Sequence, residues 1–234
     1  VPEALRPIPG DLFPVPASAA PIPTTNQGHQ HIDAGNSSEG QRLPSGTVVV
    51  SFKRIDCYIH VIAKSCRAGA EGVTAAVHAI RDTIQNESGN DESGPDPLRD
   101  VVFVWLRLAS LSIADYASAN TAYSAQFGTE TCTPPPARAC VGMRGTGAAV
   151  TMEVLVRIGR RDDPETVTLH VQSISEWAPP CIGPYAQTVC DAGILHICGV
   201  LPLYAPTVSI PKDLGARAQT RAALFNMCRT LEAT

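Results

Sequence analysis

Hydrophobic and polar positions divide the chain into segments of clear period. Thr47–Phe52 and Cys57–Ala63 read as two strands around a turn at Arg54-Ile55-Asp56. In the second, Tyr58, His60 and Ile62 alternate with Ile59, Val61 and Ala63, which predicts burial on both faces. His60 is expected as a satisfied core or interface histidine. A helix is predicted over 71–85, because Val73, Val77, Ile80 and Ile84 form one stripe. The acidic, Gly- and Ser-rich run 87–97 ends that unit of pattern. Asp100–Leu108 reads as a buried strand. Ser112 then caps a helix to about Phe127, with Ile113, Tyr116, Asn120, Tyr123 and Phe127 on one face. Asn120 on an apolar face needs hydrogen-bond partners, as a structural bracket or as a ligand contact.

Three prolines, Pro134 to Pro136, give a stiff lead into a strand near 139–143. Strands at 149–158 and 167–173 follow, joined by a turn at 160–165. The pattern then restarts: strands at 186–190 and 194–201 flank the turn Asp191-Ala192-Gly193, and a helix is predicted over 212–233. Thr220, Leu224, Met227 and Leu231 repeat the spacing of the first helix's stripe, so strand-turn-strand-helix occurs twice. The second copy stops after its helix. A two-strand, one-helix piece cannot bury both its stripe and its sheet edge alone, so the chain continues past Thr234 or this piece packs on another surface. The start at Val1 rather than Met likewise predicts a piece of something longer or a trimmed chain.

Residues 1–46 hold no period. Prolines (Pro2, Pro7, Pro9, Pro14, Pro16) give way to a Gly/Ser/Asn-rich run, which predicts an extended or disordered linker. His29 and His31 in it lack a rigid frame for a metal. The expected division is thus 1–46 linker, 47–174 first unit and 175–234 the first half of a second.

Composition narrows the function classes. The balance of 18 Lys+Arg against 22 Asp+Glu gives −4, with no electrostatic support for nucleic-acid binding. No apolar run reaches the length of a membrane span. The eight cysteines form no C-x-x-C pair, so no metal site is expected, and several sit in apolar patterns as small hydrophobes. Reduced thiols and a cytoplasmic setting are the expectation.

Two side chains carry candidate chemistry. Arg138 follows the proline lead at a strand start, where its planar fork can clamp a carboxylate; a surface or structural ion pair is the alternative. Glu153 lies mid-strand among Val150, Met152, Val154 and Val156, as a perturbed acid/base or as a strand-face carboxylate turned to solvent.

The motifs resemble those of the YjgF/RidA (L-PSP endoribonuclease-like) family. Cys181-Ile182-Gly183-Pro184-Tyr185-Ala186-Gln187 is similar to its I-G-P-Y-x-Q opening, and His196 to Pro202 to the S-G-Q-I-P strand that follows. Gln219-Thr220-Arg221 to Ala233, with Asn226, resembles its first helix. In the first unit Asp115 to Tyr123 resembles D-F-A-x-V-N-x-x-Y, Pro136 to Val141 resembles P-A-R-S-C-V, and the thirteen-residue step from Cys140 to Glu153 matches. The resemblance implies an α+β fold of chorismate-mutase-like units in tandem, each a mixed sheet with two helices on one face, which associate as trimers with clefts between units. It implies Arg138 as carboxylate clamp, Glu153 as the water-orienting acid/base beside Tyr185, and Asn120, Cys140, Cys198 and Gly199 as the substrate-binding wall. Cys198 stands where the family has Ser. The first unit lacks I-G-P-Y-x-Q and the second lacks the Arg and Glu, so a complete set requires a cleft shared between units.

Tandem, partly degenerate units behind a proline-rich linker also resemble the C-terminal region of eukaryotic diphthine–ammonia ligases, which act on elongation factor 2 with ATP and ammonia. Their S-G-G-x-D-S phosphate loop is absent from this chain, which implies an accessory region with no cofactor of its own. Such a region would bind a small carboxylate, self-associate through its sheets and meet elongation factor 2 through the parent protein. The alternative is a RidA-type enamine/imine deaminase, and a less favoured one an endoribonuclease.

Overall fold

The computed structural model describes residues 48–88, 96–128, 134–143, 145, 147–159, 165–211 and 215–234. The linker 1–46 with His29 and His31, most of the acidic run, Cys132 and the turn at 160–164 lie outside the described residues.

Strands β1 (Val48–Ile55) and β2 (Tyr58–Ser65) form an antiparallel hairpin. Its two-residue turn places Asp56 at φ +51°, a conformation Asp accepts more readily than most residues. Helix α1 (Gly69–Ser88) follows, and the four predicted stripe residues, Val73, Val77, Ile80 and Ile84, are all fully buried. Each contributes about 1.5–3 kcal/mol of apolar burial. A short 3-10 turn, Pro97–Asp100, capped by the Asp96 side chain, leads into β3 (Val101–Leu108). Ser112 caps α2 (Ile113–Phe127) as expected, its Oγ accepting from Asp115 N at 3.1 Å. The predicted face of α2 is only partly inward. Tyr123 and Phe127 are buried with Ala119, but Ile113 is 90% exposed and Tyr116 is also exposed. These two residues of the first turn of α2 therefore lie off its packed face.

Strands β4 (Ala137–Gly142) and β5 (Val150–Arg157) complete a mixed sheet of order β1-β2-β5-β3-β4, in which β4 is parallel to β3 and the other pairs are antiparallel. Alternate strand residues (Ile59, Val61, Ala63; Val104, Leu106, Leu108; Met152, Val154, Val156) meet α1 and α2 in one core. This is the expected α+β arrangement, with two helices on one face of a mixed sheet. The other face of β2 is half-exposed rather than buried.

Three strands form a second sheet: β6 (Val167–Leu169), β7 (Thr188–Asp191) and β8 (Ile194–Ile197), in that order, with α3 (Ala216–Glu232) after them. β6, assigned by sequence to the first unit, hydrogen-bonds to β7 in this second sheet. The two-residue β7–β8 turn sets Ala192 and Gly193 at positive φ in an antiparallel hairpin. The second sheet's Val189, with Ala186, packs on Val102, Phe103 and Ala137, the side of the first sheet that carries no helix. There Asp191, fully buried, accepts from Tyr58 Oη at 2.7 Å, Arg157 Nε at 2.7 Å and Thr166 Oγ1 at 3.1 Å. Burial, and then the bond to Asp191, push the Tyr58 phenol well above its ordinary value.

The stripe expected on α3 is not the face that packs. Leu224 and Leu231 are exposed, and Ala222, Asn226 and Thr230 are buried. Asn226 Nδ2 donates to Leu201 O and Leu203 O, each at 2.9 Å, so the connection before the helix captures its polar face by backbone hydrogen bonds.

Candidate functional site

The first sheet ends on β4, and the second unit closes that edge. Ala186 N donates to Pro136 O and Gly199 N to Arg138 O, both at 3.0 Å. An edge strand's open backbone groups are thereby satisfied. The two segments that do this are the I-G-P-Y turn and the residues just after β8, so the register of the edge carries Tyr185, Cys198 and Gly199 to Arg138.

Strand alternation sends Ala137 to the helix-free face and Arg138 to the helix face, beside Val104. The Arg138 residue is 4% exposed. Its Nη2 donates to Asn120 Oδ1 at 2.9 Å. Its Cζ lies 4.4 Å from the Tyr123 ring centroid and 5.2 Å from that of Tyr185. The negative ring faces partly compensate the desolvated cation. Nη1 is buried and has no hydrogen-bond partner among the described residues. Gly183 suits this closeness: a Cβ there would sit 3.1 Å from Tyr185 Cε1 and 3.3 Å from Arg138 Nη2, and those side chains would have to give by a few tenths of an ångström.

The other groups around the guanidinium are neutral at ordinary pH. Burial pushes the Tyr185 phenol and the Cys181 thiol up to about 12, and Cys198 up to about 11. Burial also raises Cys140, which shares the helix face of β4 and feels Arg138 in the opposite sense. A small hollow of about 30 Å³ is lined in part by Tyr185, Cys198 and Gly199, and Arg138 is not among its lining residues. Arg138, Asn120, Tyr185, Cys140, Cys198 and Gly199 thus come together from both units. The sequence reading did not single out the Tyr123 ring, Cys181 or Gly183. Tyr123 was visible as a member of an apolar helix face and as the last residue of the Asp115 to Tyr123 motif, and Cys181 and Gly183 stood within the I-G-P-Y motif.

Glu153 does not join them. It pairs in register with Trp105 and Ile62, and so points from the helix-free face of the sheet. Its Oε1 meets His60 Nε2 at 2.7 Å, and its Oε2 accepts from Arg107 Nη1 at 2.5 Å. Burial works against its ionisation, but the bonds from Arg107 and His60 outweigh it and hold the carboxyl below its usual range. His60 is accordingly a satisfied, half-exposed histidine. The expectation that Glu153 faces Arg138 across one hollow fails within the chain, because an odd number of pleat steps separates their register positions.

Among the described residues no group of three His, Cys, Asp or Glu is placed to hold a metal, and the described cysteines other than Cys66 are free thiols. Among them, too, no helix is long and apolar enough to cross a membrane.

No family model matches the chain. Over 106 residues, 45% of its length, it is 36% identical to the diphthine–ammonia ligase of Schizosaccharomyces pombe. It spans 16% of that relative. Solved structures similar to it include RidA from an Antarctic Psychrobacter, at 20% identity over 52% of this chain and 96% of that one, TM-score 0.35. A putative endoribonuclease from Thermotoga maritima matches at 16% identity over 51% and 93%, TM-score 0.36. A putative endoribonuclease L-PSP from Entamoeba histolytica matches at 18% over 46% and 85%, TM-score 0.33. The chain's structural neighbours are therefore YjgF/RidA/L-PSP endoribonuclease-like proteins, and its curated relative, matched over part of its length, is a diphthine–ammonia ligase.

Proposed function

We propose that this chain is an accessory YjgF/RidA-like region of a diphthine–ammonia ligase and binds a small carboxylate at the junction of its two units. The observation that carries this reading is the buried, half-satisfied guanidinium of Arg138. Its Nη2 is engaged by Asn120, its Nη1 has no partner among the described residues, and the thiols and phenol around it are neutral. A buried cation without a counter-anion is unfavourable, and a carboxylate supplies both the missing charge and the missing acceptor. The partial match to the S. pombe ligase supports the wider context, in which elongation factor 2 is reached through the parent enzyme. That setting is cytoplasmic. The half-exposed face carrying His60, Arg107 and Glu153 is the surface for self-association.

Binding, rather than hydrolysis, is the favoured activity. Imine hydrolysis needs a base beside the clamped substrate, and Glu153 lies on the far side of the sheet. The test is calorimetric titration of the purified chain with 2-oxobutanoate, alongside an assay of 2-iminopropanoate hydrolysis. Saturable binding that is lost in Arg138→Met, with no hydrolysis above background, is the expected outcome. Hydrolysis lost in both Arg138→Met and Glu153→Gln would establish the deaminase instead, and absence of binding would remove the carboxylate reading.

A further inference from the structure

A second hollow, of about 210 Å³, lies where α3 meets the connection that precedes it. Its walls include Trp177, Tyr204, Phe225 and Arg229, with Asn226 and Glu176. The connection that forms one wall has no counterpart in the first unit. There β2 passes to α1 through residues 66–68, whereas β8 passes to α3 through residues 198–215. Within this longer stretch Tyr204 O accepts from Val208 N at 2.8 Å, and Val208 sits at φ +50°. A β-branched residue at positive φ is strained and persists only where its surroundings fix it. The turn that presents Tyr204 is thus held in one shape.

Arg229 sets the charge preference. Its Cζ lies 5.1 Å from the Phe225 ring and 5.6 Å from the Trp177 ring. A cation already lies close to those rings, so a second, cationic ligand is disfavoured there. A guanidinium offers a planar fork of N–H donors, the chemistry that receives a carboxylate. Its contact with Glu232, at 3.0 Å, is an i,i+3 pair whose carboxylate is 51% exposed, so solvent screens it and a ligand can compete. Trp177 is itself 43% exposed and offers ring surface for stacking. Glu176 on the lining opposes a second negative charge. The volume is below the roughly 300–1,000 Å³ of pockets for drug-sized ligands, which limits the occupant to one or two rings.

The geometry points to a binding site for a small aromatic monocarboxylate, with its ring against Trp177 and Tyr204 and its carboxylate on Arg229. The site is separate from Arg138 and does not rest on the carboxylate reading there. The test is tryptophan fluorescence during titration with phenylacetate, with acetate, phenethylamine and phenyl phosphate as comparison probes. Trp105, on the first sheet, is the other indole in the chain and serves as the reference. Phenylacetate is expected to give a saturable change that is weakened at least about tenfold in Arg229→Gln, where a charge-assisted bond is lost. The change disappears in Trp177→Leu and is retained in Arg138→Met. Circular dichroism of each variant establishes that it is folded. Equal binding of phenethylamine, an unaltered affinity in folded Arg229→Gln, loss of the signal in Arg138→Met, or no saturable change in the wild type would each overturn the proposal.

Discussion

Arg138 and Glu153 lie on opposite faces of one sheet. Arg138 pairs in register with Val104, on the helix side, and Glu153 with Trp105, on the other. The guanidinium is held by Asn120 and two tyrosine rings, the carboxylate by His60 and Arg107. Each group is therefore to be perturbed separately, and the two are expected to respond differently.

Replacing Arg138 with Met removes a buried charge whose Nη1 makes no hydrogen bond among the described residues, and leaves a side chain of comparable length between the two rings. Apolar replacement of buried ionic groups is often neutral or stabilising. The melting temperature of the ligand-free variant is expected at or above that of the wild type, by scanning calorimetry. A large fall would mean that the cation is structural.

Asp191 fastens the second unit to the first. Asp191→Asn leaves the partly buried Arg157 facing a neutral amide in place of a doubly engaged carboxylate. Breaking a buried pair in this way typically destabilises by about 3–5 kcal/mol. Urea denaturation is the measurement. A loss within experimental error would show that the Asp191 ion pair does not hold the units together.

The Glu153 carboxyl has its folded-state value lowered, so its contribution is present above the unfolded value of about 4.3 and is lost as pH falls through the lower folded value. Wild type and Glu153→Gln are thus expected to differ most at neutral pH and to converge at acid pH. Denaturation midpoints measured from neutral to acid conditions check this. A difference that persists at the acid end would mean that ionisation is not what Glu153 contributes.

On α3 the polar position carries the stability. Asn226→Ala leaves two carbonyls, Leu201 O and Leu203 O, without their donor and is expected to cost about 1–3 kcal/mol. Leu224→Ser, on the exposed face, is expected to stay within about 0.5 kcal/mol of wild type. The reverse order, in the same denaturation experiment, would place the packed face where the sequence stripe put it.

That contrast shows what the sequence could and could not reveal. The stripe Val73, Val77, Ile80, Ile84 was legible because a complete sheet lies beneath α1, so the apolar face is the packed face. The same spacing at Thr220, Leu224, Met227, Leu231 misled, because Asn226 and Thr230 are satisfied by bonds that only the fold supplies. The Arg138 cluster was partly legible through two motifs in different units, and the edge pairing at Pro136 and Arg138 is what joins them. The side of the sheet on which Glu153 emerges depends on register, which no spacing along the chain specifies. Tyr123 and Cys181 stood within motifs, but nothing along the chain showed that both would face Arg138.

The most direct test follows the Arg138 side-chain Nε–Hε resonance by NMR while acetate is added to the full chain. The resonance should shift saturably in the wild type and in Glu153→Gln alike, and the shifting signal should be absent from Arg138→Met. A resonance that never moves, or one whose movement is abolished by Glu153→Gln, would contradict a carboxylate site built on Arg138 at the meeting of the two units.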